Sequence, residues 1–286
     1  GTLAMSAGGV GRNIAEGLAR LGLDPLLVSA VGDDHFGDRL LSEVGAASMR
    51  TDGIRRVAGC HTAVYVALDD GEGDLAAAVA DMDVFDAGMT LDYVASHGDA
   101  LERAAVCVLD ANLPSPAVRT LASLARDAGT PIWLEPVSVA KAAAVCACLA
   151  SEGLLSAIQI TSPNEDEVMA MAASIGASEE ATAPGDDSLR RAAAALVHAG
   201  VANVVVTRGA RGVLWARSDD GAANGVYFEQ LEAPPATVVN TRGAGDTFVA
   251  GAVWRLVRDR GAGATDGMCL GEESIRGALK AGTRAA

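Results

Sequence analysis

Aromatic side chains are scarce, 3% of 286 residues, and Ala, Val, Leu and Gly dominate a chain that is half hydrophobic. Small side chains let helices pack closely on a sheet, so a large α/β core is expected. Basic residues are in short supply too. The 22 Lys and Arg against 37 Asp and Glu leave a net charge of −15. That argues against a general nucleic-acid binder, which carries a basic face, and leaves room only for a local basic patch around a phosphate. Five cysteines (Cys60, Cys107, Cys146, Cys148 and Cys269) show no disulfide framework. Cys146-Ala-Cys148 is too tight for a usual zinc pair, and no second pair faces it. Reduced, buried cysteines of a cytosolic protein are the expectation. His35, His61, His97 and His198 are scattered, HExxH is absent, and no GxxxxGK[ST] phosphate loop occurs. No signal peptide is visible and no apolar run is long enough to cross a membrane, so a cytoplasmic protein without a membrane partner is expected.

What is present concentrates near the C-terminus, in Val238-Val239-Asn240-Thr241-Arg242-Gly243-Ala244-Gly245-Asp246-Thr247-Phe248. A short apolar run gives way to two glycines spaced by alanine, then a carboxylate, then an apolar helical pattern. Small residues at a helix start let backbone N–H groups approach an anion, and the helix N-terminus adds positive partial charge. Asp246 beside such an anion hole could take a proton from a hydroxyl as it attacks a phosphoryl group. A Gly-rich turn capped by an aspartate explains the same residues.

Along the chain, Ser6-Ala7-Gly8-Gly9-Val10-Gly11-Arg12-Asn13 reads as a glycine-rich loop. It feeds a helix with Ile14, Leu18 and Leu21 on one face, ended by Gly22. Leu26–Val31 reads as a buried strand and Phe36–Val44 as a helix. Between about Thr51 and Val79 the pattern changes: Val57, Thr62, Val64, Tyr65 and Val66 suggest short strands, with a hairpin turn at Asp69-Asp70-Gly71-Glu72-Gly73. Residues 1–50 and 80–286 therefore read as an α/β core and 51–79 as a β insertion, either a lid or a dimer surface. The βα rhythm resumes with strands at Ala105–Asp110, Pro131–Glu135, Ala157–Ile160 and Val204–Thr207, and Ala177–Asp187 reads as an exposed loop. Alternating strands and helices imply a mostly parallel sheet with its site at the strands' C-terminal ends. Nearly every polar cluster lies just after a strand: Asp110, Glu135, Ser162-Pro163-Asn164-Glu165-Asp166-Glu167 and Thr207-Arg208-Gly209-Ala210-Arg211-Gly212.

The glycine loops do not make a dinucleotide fingerprint. The third small position is Phe248 after Gly243-Ala244-Gly245 and Ile14 after Gly9-Val10-Gly11. Taken together, and in this order, the two loops and the segments between them resemble the ribokinase-like (PfkB) family of sugar and nucleoside kinases over nearly the whole chain. That resemblance implies a three-layer α/β/α sandwich with a mostly parallel central sheet and a small β lid. It implies Asp246 as the catalytic base, with the N–H groups of Gly243, Ala244 and Gly245 stabilising the migrating phosphoryl group. Gly8, Gly9 and Asn13 would bind the sugar. The NxxE element, Asn164 and Glu167, would organise Mg²⁺ largely through water; a dipole-stabilised acidic helix start explains it as well. Thr207 and Gly209 would lie near the ATP phosphates and ribose, although a plain β-turn accounts for them too. Arg12 and Arg211 are candidates to meet phosphate, set against solvated or structural roles.

Three stretches look like a branch of the family that phosphorylates the 5′-hydroxyl of a C-nucleoside: Gly8 to Glu16, Ala80-Asp81-Met82-Asp83, and Asp110-Ala111-Asn112-Leu113 with Glu135 to Lys141. They make Asp81, Asn112 and Lys141 pocket candidates. The implied ligands are a small-molecule nucleoside, ATP and Mg²⁺, with a homodimer through the lid. Members of the family usually begin with a strand bearing a substrate-binding aspartate. This chain opens almost directly on its glycine loop, which suggests terminal segments outside it. Arg242 stands where a small residue is usual, near the potassium site of many relatives. A guanidinium there could replace the cation or contact the nucleotide, so little K⁺ dependence is expected. The rival readings are another ribokinase-like enzyme acting on ribose, adenosine or a hexose, a non-catalytic nucleotide- or nucleoside-binding homologue, and a dehydrogenase on a Rossmann-type sheet.

Overall fold

The structure, a computed structural model, describes residues 5–69, 75–177, 185–222, 224–237, 241–260 and 270–286. Its centre is a six-stranded sheet of β5 (Cys107–Asp110), β6 (Ile132–Glu135), β7 (Ile158–Thr161), β8 (Asn203–Thr207), β9 (Val213–Ser218) and β10 (Val226–Leu231). The spatial order is β10-β9-β8-β7-β6-β5. The pairings from β5 to β8 are parallel, and β9 and β10 close one side antiparallel.

Side-chain alternation builds the layers, because successive residues of a strand point to opposite faces. Ile132, Leu134, Ile158, Val204 and Val206 enter one apolar core. Trp133, Ile160 and Val205 enter the other, Ile160 on the opposite side from Ile158 because the β6–β7 pairing shifts register between Ile132 and Trp133. The first core is covered by the helices α6 (Ser115–Ala128), α7 (Val139–Ser151), α8 (Glu165–Ser174) and α9 (Asp186–His198). The second is covered by α1 (Val10–Arg20), α10 (Ala244–Arg260) and α11 (Glu272–Ala285). This is the three-layer α/β/α sandwich expected from the sequence.

The strand starts fall later than hydrophobicity suggests. The run Leu26–Val31 yields β1 only at Ser29–Gly32, and Ala105 and Val106 precede β5. Leu21 is the C-cap of α1 and 41% exposed, so it does not share the buried face of Ile14 and Leu18. Of the cysteines, only Cys146 is fully buried; Cys60, Cys107 and Cys148 are half-buried free thiols, and Cys269 lies outside the described residues. The expected loop after Ala177 also falls largely outside them, and Asp186 already belongs to α9. No helix among the described residues is long and apolar enough to cross a membrane.

Two small sheets flank the sandwich. β1 pairs in parallel with β2 (Ile54–Val57), just ahead of α2 (His35–Ala46). β3 (Val64–Asp69) and β4 (Leu75–Asp81) form an antiparallel hairpin; of the turn expected at 69–73, Asp69 ends β3 and the rest lies outside the described residues. Tyr65, Val66, Leu68 and Val79 on this hairpin are all more than two-fifths exposed. A polar node bolts the chain leading into the hairpin onto α2. Asp34, the N-cap of α2, accepts from Gly37 N–H (2.9 Å), Thr62 N–H (2.9 Å) and the Thr62 hydroxyl (2.6 Å). Three short helices, α3 (Asp83–Gly88), α4 (Leu91–Ala95) and α5 (Gly98–Arg103), lead from the hairpin back to β5.

Candidate active site

Four parallel strands end on one rim, and their last residues carry the polar groups: Asp110 of β5, Glu135 of β6, Ser162 to Asn164 after β7, and Thr207 of β8. The N-terminus of α1 and the N-terminus of α10 reach this rim from the same layer. Their approach is close because α1 carries glycine where it meets α10. A Cβ on Gly17 would lie 2.7 Å from the Cβ of Ala250.

Asp246 sits in the first turn of α10 and is half-buried. The turn before it needs Gly243, whose φ of +76° suits a residue without a Cβ. Thr247 N–H begins the helical ladder onto Gly243 carbonyl (2.9 Å), and its hydroxyl donates to the same oxygen (2.8 Å). The N–H groups ahead of it belong to the helix end that has no intrahelical acceptors. One of them, Ala244 N–H, reaches back to Thr241 carbonyl in a long 3.2 Å contact. Residues 238–240, the front of the sequence stretch, lie outside the described residues. Arg242 is exposed on this turn.

Across from it, Asn13 Nδ2 donates to Asp246 Oδ2 at 2.6 Å. Burial raises the Asp246 carboxyl above the usual aspartate range. The Asn13 hydrogen bond and the Arg12 charge oppose that shift, and the Asp110 carboxylate adds to it. The glycine loop is tied down by the same residues. Asn13 N–H donates to Gly9 carbonyl (2.8 Å), with Gly9 at φ +104°, and Gly8 and Gly9 remain exposed at the mouth.

Arg12 does not reach out for a phosphate, the role weighed for it from sequence. Its guanidinium donates to Gly8 carbonyl (2.9 Å), Ala7 carbonyl (3.1 Å), Glu16 (2.5 Å) and Asn13 Oδ1 (2.5 Å). Arg211 is likewise held, by Glu165 at 2.6 Å.

Asp110 stitches the loop to the sheet. One oxygen accepts Gly11 N–H and the other Asn112 N–H, both at 2.9 Å. Lys141 of α7 donates to Asn112 Oδ1, so two of the pocket candidates meet. Asp81 stands apart from these bonds at the end of β4, where its carboxylate takes a long 3.4 Å contact from Asp83 N–H.

On the other flank, Asn164 and Glu167 form a reciprocal capping box at the start of α8. Asn164 Oδ1 accepts Glu167 N–H and Glu167 Oε2 accepts Asn164 N–H, both at 2.8 Å. Glu167 is buried, and that burial raises its carboxyl. Thr207 joins them, its N–H donating to Pro163 carbonyl at 2.8 Å and its backbone bridging Asn164. The turn at Gly209 is clamped onto α8 by Arg208, which is 7% exposed and binds Glu165 (2.8 Å) and Asp186 (2.5 Å).

Glu135, which the sequence places at the end of a strand without assigning it a role, belongs to the site. It accepts from Ser162 hydroxyl (2.6 Å), which accepts from Trp133 Nε1 (2.7 Å). Burial pushes its carboxyl up to about 8 against that hydrogen bond, and the Glu167 and Asp246 carboxylates push the same way. Two residues on, Val137 takes φ +71°, a rare conformation for a β-branched residue. The sequence signal was there: a strand ending in a carboxylate on the same rim as Asp110.

Residues 1–286 match the pfkB family carbohydrate kinase pattern. A pseudouridine kinase of Escherichia coli (strain K12) is 32% identical over 252 residues, covering 88% of this chain and 73% of that protein. A pseudouridine kinase of Arabidopsis thaliana is 31% identical over 225 residues, 75% of this chain and 57% of the relative, so the chain spans little more than half of that protein's length. The solved ribokinase of Giardia lamblia superposes with a TM-score of 0.76 over 99% of this chain and 82% of its own; at 20% identity the likeness concerns the fold.

Proposed function

Because the chain belongs to the pfkB family of carbohydrate kinases, and so to the phosphotransferases with an alcohol acceptor, we propose that it transfers the terminal phosphoryl group of ATP to the 5′-hydroxyl of a nucleoside, pseudouridine first among candidates. The observation that carries the reading is Asp246: a half-buried carboxylate in the first turn of α10, beside the N–H groups of a helix end and held by Asn13. Asp246 removes the proton of the acceptor hydroxyl as it attacks. The N–H groups of Gly243, Ala244 and Gly245 receive the charge of the transferring group, so catalysis is positioning plus electrostatics.

Gly8, Gly9, Asn13, Asp81, Asn112 and Lys141 bind the nucleoside. Thr207, Gly209, Asn164 and Arg242 face the nucleotide. The choice of pseudouridine rests on the two relatives and on the Asn112–Lys141 pair, which offers a polar contact to a base or sugar oxygen.

For Mg²⁺ the residues fit. Asn164 and Glu167 are hard oxygen donors, and Glu167 keeps Oε1 outside its capping box. No three His, Cys, Asp or Glu converge on a metal-sized site among the described residues. An ion that keeps several waters and binds through one or two carboxylates plus phosphates needs no such cage. When bound, Mg²⁺ supplies charge neutralisation on the phosphates.

The hairpin of β3 and β4 serves as the lid, excluding water from the reaction, and its exposed apolar residues serve as the clasp of a homodimer. Release of ADP measured in parallel with pseudouridine, uridine, adenosine and ribose tests the reading. Preferred turnover of pseudouridine is expected. Preference for ribose or adenosine would move the substrate elsewhere in the family, and nucleoside binding without ADP release would mark a non-catalytic homologue.

A further inference from the structure

We infer that Arg12 is a positioning residue which, through the side chain of Asn13, decides which oxygen of Asp246 faces the acceptor hydroxyl. The inference deepens the reading of Asp246 as the base and rests on it.

The geometry is a chain of donors running along α1 and across to α10. Arg20 binds Glu16 Oε1 (2.5 Å), Glu16 Oε2 takes the Arg12 guanidinium, and Arg12 Nη2 donates to Asn13 Oδ1. Asn13 Nδ2 then donates to Asp246 Oδ2. A carboxamide is nearly symmetric in shape, with an acceptor at one tip and donors at the other. Left alone, Asn13 could turn either tip toward α10. A guanidinium has donors only, so Arg12 accepts no contact from the amide nitrogen and holds Oδ1 on its own side. The nitrogen is thereby turned to Asp246.

Two consequences follow. Oδ2 of Asp246 is occupied by Asn13, which leaves Oδ1 as the oxygen that meets the substrate proton. And the carboxylate always receives a donor, never the repulsion of a flipped amide oxygen. Arg12 suits this task because it is sequestered: its side chain is 15% exposed and four of its five N–H groups are committed, to Gly8, Ala7, Glu16 and Asn13. The same bonds tie the substrate loop to the orientation of the base. The other charged group that acts on Asp246 is Asp110 at the end of β5, whereas Glu135 at the end of β6 is itself raised by the Asp246 carboxylate. Both Asp110 oxygens already accept backbone N–H groups, from Gly11 and Asn112, and Glu135 is engaged with the Ser162 hydroxyl, so the orienting group is the amide.

The test reads Asp246 in the free protein, by its ¹³C-carboxyl NMR titration in the full chain, and sets it beside kinetics. Arg12→Lys keeps the charge but not the forked geometry. It is expected to raise the Asp246 midpoint, to lower kcat by about tenfold to a hundredfold and to leave KM for ATP unchanged. Arg12→Ala should do the same and be partly restored by added guanidinium. In an Asn13→Ala background, Arg12→Lys should move neither the midpoint nor kcat further, because the relay is already cut. If Arg12→Ala does not fold, Glu16→Gln, which loosens the guanidinium from one side only, serves as the second variant and should give an intermediate shift. An Arg12→Lys midpoint equal to wild type would overturn the relay in favour of plain charge. A raised KM for ATP with intact kcat would overturn it in favour of a phosphate contact. The midpoint is read without turnover: were the protein to phosphorylate no nucleoside, a moved midpoint would still uphold the relay, and an active enzyme with an unmoved midpoint would sink the relay alone.

Discussion

Gly17 of α1 lies so close to Ala250 of α10 that a Cβ on it would come within 2.7 Å of the alanine methyl. The contact lies one turn along α1 from Asn13 and one turn along α10 from Asp246, and it sets the gap that the 2.6 Å Asn13–Asp246 hydrogen bond spans. Gly17→Val should wedge the helices apart. The expected cost is about 1–3 kcal/mol of stability, read by chemical denaturation, together with a fall in kcat larger than the fall in folded fraction. Wild-type kcat in the folded variant would separate this packing contact from the site.

Asp246→Asn removes the base while keeping size and hydrogen-bonding capacity. Turnover should fall by about a hundredfold to ten-thousandfold, with ATP affinity by calorimetry nearly unchanged. In the wild type, burial raises the Asp246 carboxyl. Activity therefore disappears as pH falls through a midpoint above the ordinary aspartate range, and the acid limb of kcat/KM should be absent from any residual activity of the variant.

Glu135 gives a stability signature of definite sign. Its carboxyl is pushed up to about 8 in the folded protein, against about 4.3 for a free glutamate. Between those values the folded state holds a proton that the unfolded chain has released. Stability from this group is full below about 4.3 and is lost as pH rises through about 8. Glu135→Gln should flatten that decline, seen as a smaller drop in Tm between mildly acidic and mildly alkaline buffer. Parallel Tm–pH curves for the two proteins would contradict the assignment.

Lys141→Ala leaves Asn112 without its cationic partner. The expected result is a higher KM for the nucleoside, by about tenfold, with KM for ATP unmoved. A change confined to ATP would take Lys141 out of the nucleoside pocket.

Arg242 carries the expectation about monovalent cations. With a guanidinium on the turn before α10, exchanging Na⁺ for K⁺ should change turnover little. A large activation by K⁺ in a steady-state assay would show that the arginine does not stand in for the ion.

Much of this is legible in the sequence itself. Strand β6 announces itself by a β-branched and aromatic run, and its two-residue period sends Trp133 and Leu134 into different cores. The glycine loop and the Asp246 loop are local patterns, and local patterns survive in sequence. Their meeting is not local. Nothing in the spacing of residues 13 and 246 says that their side chains touch, because that depends on the α1–α10 packing at Gly17. The commitment of Arg12 was hidden for the same reason: Glu16 is visible at helical spacing, but the loop carbonyls of Ala7 and Gly8 curl onto the guanidinium only once the chain folds. The asparagine and glutamate of the NxxE element were read as either metal-side groups or a helix start; the capping box shows the second, and it leaves one Glu167 oxygen for the first.

The bond from Trp133 through Ser162 to Glu135 makes the protein its own indicator. An indole whose N–H is coupled through one hydroxyl to a titrating carboxyl changes its emission when that carboxyl gains or loses a proton, or when a cation settles beside it. Trp133 is fully buried, so its spectrum is insulated from bulk solvent. Ligand arrival at the rim of the sheet is therefore expected to change the Trp133 emission, read against Trp215 and Trp254.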